Sequence, residues 1–585
     1  MLKTISGFSL ILLLVAANCS PDTGNMEGQE ADISGVSGTV ILDASDFLDR
    51  LQRDHYIVDG GTSELPWLFN NTGLYLGSRS QYVVEAEIPE AGTWHLFART
   101  QGSENSYMRI AVNDQLSDGH SGNGPLNFTH NGTFELEAGP VPVRLMQISG
   151  GPVFDALVLT REEDFTEEDL REYELHPDVE LLRSYEIPNA GVVKFGDLTG
   201  DGRTDFLVLT RDYSAYAFNH DGDELWSWES PEENRRFRSE FEAPGLVWDL
   251  DQDGSAEALY WRYDEGTEWL VAADGETGEV RYRTEWPTGE LPHVYNNFRL
   301  AVGNLDGGYP DNVVVFTDFG GQINITAFTN ELEQIWQHEE VKSKDHLGHY
   351  VYPIDLTGDG RDEVAAGAML LSPEGEEIWN RFDLFYNNRD HVDSYTFADL
   401  NGDGREEMVA AHSEVGALVY DALNGDILWQ NIAEHTQQVE TGHFLAGTDG
   451  PQVAMGARTY GNRQAGEHYL WAQVQWFSPD GDLLSLWPEK PINGNPVFVK
   501  GDWRGDGSEE LFWYKFRMGD DGKGTLYFGD QVFHMFDFTG TGAEEVITLS
   551  GGRLQVFGYR SAVESEDKKL DPHYLQHHVA NHTHY

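Results

Sequence analysis

Residues 355–363 read Asp355-Leu-Thr-Gly-Asp-Gly-Arg-Asp-Glu363: oxygen-bearing side chains alternate, glycines mark the bends and a carboxylate closes the run. The pattern returns at Asp197–Asp205, Asp249–Glu257 and Asp399–Glu407, and more loosely at Asp502–Glu510 and Asp537–Glu545. Eroded forms stand at 304–312 and 446–452. Eight such units, mostly spaced about 44–55 residues apart, signal a propeller or solenoid. In each, a short apolar strand precedes the loop and a Val- or Leu-rich strand follows it. Two more strands come after, ending in hairpins such as Asp221–Trp226, Glu374–Trp379 and Asn424–Trp429. Four strands per unit make a propeller blade.

The two ends suggest how the ring closes. The last unit stops after three strands near Gly558, while Leu181–Pro188 stands alone ahead of the first. Pairing the two removes both free edges. Residues 181–560 are therefore read as an eight-bladed β-propeller. Asp502 and Asp537 lie unusually close together, so that blade is expected to lack a strand.

Composition narrows the function. With 38 Lys and Arg against 100 Asp and Glu, the net charge is −62. A nucleic-acid partner is excluded for want of cations to replace phosphate counterions, and electrostatic adhesion to anionic lipid is disfavoured. The first residues, one cation and then an apolar run from Ile5 to Ala17, have the form of a secretory signal. The run ends at Cys19, the single cysteine, and resembles a bacterial lipoprotein signal. Residues 1–18 are then a signal peptide, Cys19 the lipidated residue and 19–37 an acidic tether. The protein is expected to be exported, held at the cell envelope or surface only through that lipid, and monomeric.

Residues 38–163 alternate with period two, for instance at Tyr82–Ile88, Thr93–Arg99 and Met108–Val112, and read as a β-sandwich. Through Glu85-Ala86-Glu87, Ala98-Arg99 and Asp155-Ala156-Leu157 this unit resembles the jelly-roll modules appended to carbohydrate-active enzymes. Residues 164–180 form a linker, and the whole is all-β. The tail, 561–585, is rich in histidine. It is expected to be disordered, with transition-metal binding or folding back to the rim as the other options.

The acidic loops suit Ca²⁺, a hard ion that takes six to eight oxygens. The candidate ligands are Asp197, Thr199, Asp201 and Asp205; Asp249, Asp251, Asp253 and Glu257; Asp355, Thr357, Asp359 and Glu363; Asp399, Asn401, Asp403 and Glu407; and Asp502, Asp506 and Glu510. Several calcium ions, mostly structural, are expected. In a propeller the segment entering each innermost strand lies at the channel mouth, and here those segments gather cations and imidazoles. They carry Arg238, His293, Asn296, Asn297, Arg299, His346, His349, Tyr350, Arg389, His391, His435, Arg463 and Asn495. Arginine can hold carboxylates bidentately and histidine can exchange protons near neutrality.

The blades resemble the rhamnogalacturonan lyases of polysaccharide lyase family 11. The likeness rests on His346-Leu-Gly-His349-Tyr350 leading into Asp355, on His391-Val-Asp393 leading into Asp399, and on Ala411–Gly416 followed by Asp421–Trp429. It implies an eight-bladed, calcium-rich propeller that cleaves an anionic, uronate-containing polysaccharide by β-elimination; ulvan or another uronate polymer is the alternative substrate. His349 and His346 are the candidate bases, Tyr350 or His391 the proton donor, Arg299 the carboxylate clamp, and His293 a reserve. Asn296, Asn297, Arg238, Arg389, His435, Arg463 and Asn495 would bind the sugar. Two rival readings are a two-carboxylate hydrolase using Asp390 and Asp393 and a non-catalytic surface propeller that captures polysaccharide or acts as an adhesin.

Overall fold

Short antiparallel strands, some alternating between buried and exposed positions and others wholly buried, make up the computed structural model. It describes residues 38–50, 56–59, 65, 67–77, 80–171, 173–231, 244–287, 297–319, 322–341, 348–384, 390–431, 435–460, 470–493, 497–550 and 552–582. Cys19, Arg238, His293, Asn296, His346, Arg389, Arg463 and Asn495 lie outside them, as does the side chain of Asn297. Among the described residues no helix is long and apolar enough to cross a membrane.

Eight four-stranded antiparallel sheets run from Val179 to Tyr559. Their innermost strands are Ala190–Gly196, Gly245–Trp248, Asn297–Gly303, Val351–Ile354, Val392–Ala398, Thr436–Gly442, Phe498–Gly501 and Val532–Phe536, in blades 1 to 8. Second strands such as Asp205–Thr210 and Glu407–His412 are wholly buried, whereas an outermost strand such as Val280–Glu285 faces water. Blade 8 is completed from the other end of the ring: Val179–Glu186 pairs with Arg553–Tyr559. The Tyr185 hydroxyl then donates to the carbonyl of His220 in blade 1 at 2.7 Å. Blade 7 corrects the expectation of a missing strand. It has all four, at Phe498–Gly501, Glu510–Trp513, Phe516–Met518 and Gly524–Leu526, each only three or four residues long.

Neighbouring blades are tied by a repeated pair that the hairpin tryptophans supply. The indole N–H of Trp226 donates to Gly275 O, Trp336 to Pro373 O, Trp379 to Ala422 O and Trp429 to Pro479 O, all at 2.7–2.8 Å. Beneath each ring sits a glycine of the next blade's turn: Gly278, Gly375, Gly425 and Gly481. All four have positive φ, and a Cβ there would approach the indole to 2.5–2.8 Å. Only glycine satisfies both the turn and the ring.

The acidic loops have a common internal logic. The first aspartate caps the loop: Asp355 accepts the N–H groups of Gly358, Asp359 and Gly360. The closing residue accepts the N–H seven positions back, Glu257 from Leu250, Glu363 from Leu356, Glu407 from Leu400 and Glu545 from Phe538. In the eroded loops an amide does the same work, Asn312 for Leu305 and Gln452 for Leu445, each at 2.8 Å.

Ahead of the ring, residues 39–160 form two facing antiparallel sheets. Their core, including Trp94, Tyr82, Phe47 and Phe154, is continuous with Trp476, Trp487 and Trp513 of blades 6 and 7. Arg99 and Asp155, which carried the jelly-roll likeness, form a buried ion pair. Burial lifts the Asp155 carboxyl to about 7 against the pull of the Arg99 charge. The pair links two neighbouring strands of one sheet, Gly92–Gly102 and Val153–Thr160.

The tail corrects a second expectation. It is ordered to His582, with a helical turn at Pro572–Tyr574 running into a wider π-helical turn at Leu575–Ala580.

Candidate active site

Blades 4 and 5 bring three of the expected side chains together at the entry to their innermost strands. Gly348 bridges to Val392, and the His349 N–H donates to Val392 O at 3.1 Å. A Cβ at Gly348 would stand 2.7 Å from that carbonyl, so the close approach depends on glycine. The second contribution is a β-bulge. Val392 pairs with His412 and Ser394 with Ala411, leaving Asp393 as the extra residue. Bulges re-aim side chains. Here the bulge sends Asp393 inward, between two imidazoles.

His349 Nε2 lies 3.1 Å and His391 Nε2 3.3 Å from the same oxygen of Asp393. The Asp393 carboxylate is fully buried, and neither oxygen receives a well-aligned hydrogen bond from a described residue. Burial pushes its pKa up. The charge of His391 and the contacts from both rings outweigh this and hold it well below the usual carboxylate range. His349 behaves oppositely: burial lowers it to about 4 although Asp393 pulls the other way, so it is neutral near pH 7. One donor atom from each of His349, His391 and Asp393 lies within 4.8 Å of the others. Two imidazoles and an under-bonded buried carboxylate fit a divalent cation.

Around this trio stand further expected residues. The Arg299 guanidinium lies 5.6 Å over the Tyr350 ring, and both are nearly buried beside a narrow crevice. The His435 ring stands 6.5 Å from that of His391. Burial lowers its pKa, and its backbone sits at φ 44°, a strained setting for a non-glycine residue.

Some partners escaped the sequence reading. Ser413 Oγ lies 3.1 Å from His391 Nδ1, giving a Ser–His–Asp alignment with Asp393. Ser413 is fully buried, however, and its oxygen already accepts the His391 N–H. It presents no nucleophile to a substrate. Asp390, itself buried, accepts the Glu414 N–H at 3.1 Å and lies 3.6 Å from the buried His412. That commitment counts against Asp390 and Asp393 as a pair of hydrolytic carboxylates.

The acidic loops differ in what neutralises them. Asp249, Asp251 and Glu257 each offer an oxygen within 4.8 Å of the others. Arg281 already reaches among them, 2.5 Å from Glu257 and 3.1 Å from Asp251, so a cation there has to displace it. Burial raises Glu257 to about 7. In blade 7, Glu510 is paired with Arg517 and Arg504, and Asp502 lies 3.6 Å from Lys568. Asp201 and Asp403 are paired with Arg203 and Arg405 two residues on. Thr199 donates to Asp205, and Asn401 to Glu407. In the Asp355–Glu363 loop the Arg361 side chain turns away to Leu305 O and Glu374. That loop offers the least encumbered carboxylates.

No family profile matches the chain. Among curated proteins it is 24% identical over 337 residues to rhamnogalacturonan exolyase YesX of Bacillus subtilis, covering 45% of this chain and 53% of that one. It is 23% identical over 302 residues to the endolyase YesW of the same organism, covering 41% and 47%. The matched segments span about half the length of these relatives. In three dimensions the overlap is wider. The crystal structure of the YesX exotype lyase superposes with a TM-score of 0.53 at 16% identity, covering 87% of this chain and 96% of that chain. A Bacillus licheniformis rhamnogalacturonan lyase gives 0.52 at 15%, covering 93% and 97%. The chain thus has the all-β fold of rhamnogalacturonan lyase structures across nearly its whole length.

Proposed function

We propose that this protein is a polysaccharide lyase that cleaves a uronate-containing, rhamnogalacturonan-like polymer by β-elimination. The observation that carries the reading is the convergence of His349, Asp393 and His391 from two blades, with Arg299 and Tyr350 alongside, in a fold shared with rhamnogalacturonan lyases. Arg299 pairs with the substrate carboxylate, which makes the C5 proton more acidic. His391 has the more exposed side chain, 11% against 1% for His349, and is the imidazole more open to the sugar. His349, neutral near pH 7, takes the C5 proton; the C5–H electron pair becomes the C4–C5 double bond as the C4–O4 bond breaks, and the departing O4 takes a proton from His391 or Tyr350. Asp393 stands between the two rings and fixes their orientation. A divalent cation, if bound, is held by His349, His391 and Asp393 and supplies further charge neutralisation at the carboxylate.

The test is absorbance. On pectic rhamnogalacturonan the protein should generate an ultraviolet-absorbing unsaturated sugar as viscosity falls. Falling viscosity without absorbance indicates hydrolysis, and no change in either supports the adhesin reading. Ulvan and other uronate polymers in the same panel set the substrate.

We further propose calcium in the acidic loops, foremost at Asp355–Glu363, and export as a monomer anchored through Cys19. Loss of calcium should lower the melting temperature, because an ion that binds only the folded chain stabilises it by mass action. An unchanged melting temperature after strong chelation of metal-loaded protein removes the loops as cation sites.

A further inference from the structure

The tail leaves blade 8 along the acidic-loop side of the ring. The Val563 N–H donates to Arg504 O, and the Lys568 N–H to Asp537 Oδ2 at 2.9 Å. Lys568 Nζ lies 2.9 Å from Glu544, so the tail brings its own ammonium group to these carboxylates. Asp571 then caps a helical turn through the His573 N–H, with Pro572 in first position. The helix touches the innermost strands of blades 1, 2, 3 and 8. Gln576 donates to Asp362 at 2.7 Å, and His577 Nδ1 lies 3.2 Å from the Tyr352 hydroxyl, adding blade 4. Gln576, Val579, Ala580 and Asn581 are buried. A segment that touches five innermost strands and is buried among them occupies the central channel.

Its far end reaches the candidate site. Asn581 Oδ1 accepts the Val302 N–H at 2.9 Å, while its Nδ2 donates to Val302 O at 2.6 Å. One amide side chain thus holds both polar groups of a residue in the strand that carries Arg299. Ala580, Asn581 and His582 line the crevice together with Arg299 and Tyr350.

We propose that residues 571–582 are an intramolecular plug closing the channel beneath the candidate site, and that Asn581 is a positioning residue that sets Arg299 through the Val302 backbone. The kinetic part rests on the lyase reading; the positioning part does not. Hydrogen exchange of full-length Asn581→Ala should show faster exchange across 297–303, with outer strands of the same blade unchanged. Unchanged exchange there overturns the proposal. On pectic rhamnogalacturonan the variant should lose about 10²-fold in turnover, since a displacement of an ångström at a charge clamp costs that much, with a smaller rise in KM. In an Arg299→Ala background the same substitution should add nothing to the kinetic loss; an equal further loss in that background overturns the coupling to Arg299. Asn581→Asp keeps the acceptor for the Val302 N–H and should recover part of both effects, and it serves alone if the alanine variant does not fold. Altered exchange in a protein inactive on every uronate polymer leaves the plug standing and removes the lyase reading instead.

Discussion

Asp393→Asn should reduce turnover on a uronate polymer by about 10²–10⁴-fold, the range a positioned acid–base group supplies, while the protein still folds. The amide matches the carboxylate in size, so the bulge and the Gly348–Val392 bridge persist. What disappears is the negative charge shared by two imidazoles. The stability effect has a defined sign. Because the Asp393 pKa is depressed in the folded state, its contribution is present above the ordinary carboxylate value of 3.8. It is lost only as pH falls through the lower folded value. Wild type should therefore exceed Asp393→Asn in stability at pH 7, and the gap should close on strong acidification. Turnover per folded molecule, measured beside denaturant unfolding at both pH values, checks the two halves separately. Near-normal turnover in Asp393→Asn would remove this carboxylate from the chemistry.

Tyr185→Ala should cost about 3–5 kcal/mol of folding stability, the usual range for deleting a large buried aromatic ring. Tyr185 lies on the strand that completes blade 8, packs its ring at a tilt 5.0 Å from that of Phe206 and donates to His220 O in blade 1. It joins the two ends of the ring. Tyr185→Phe removes only the hydroxyl and should cost about 0.5–1.5 kcal/mol. Equilibrium unfolding of the two variants separates ring packing from hydrogen bond; equal losses would show that packing contributes nothing.

The blade plan was legible because each acidic loop needs its first residue to accept several N–H groups, and Asp with Gly three and five positions on, as at Asp355, Gly358 and Gly360, writes that need into the chain. Closure was legible for the same kind of reason: an unmatched strand at each end has one economical partner. The short seventh blade was not, since three-residue strands carry too little alternation to read. Within the site, His349, His391 and Arg299 followed from the rule that strand-entry segments line the mouth. Asp393 was quoted within the His391-Val-Asp393 motif but given a chemical role only as half of a hydrolytic pair, because a bulge leaves no mark in the alternation around it. The tail was misread for a related reason. Its order depends on its packing beside strands as much as 388 residues away, as for Lys194 and His582 beside one crevice, and local composition cannot express it.

The closing position of the acidic loops has a consequence for how such a ring can change over time. Glutamate, asparagine and glutamine all meet the geometric demand there, because the Leu305 and Leu445 amides are served as well by Asn312 and Gln452 as Leu356 is by Glu363. Acceptance is obligatory; charge is optional. Each blade can therefore change the charge of its loop by one substitution while the hydrogen bond that closes the loop persists, and the charge around the ring becomes a heritable setting adjusted blade by blade.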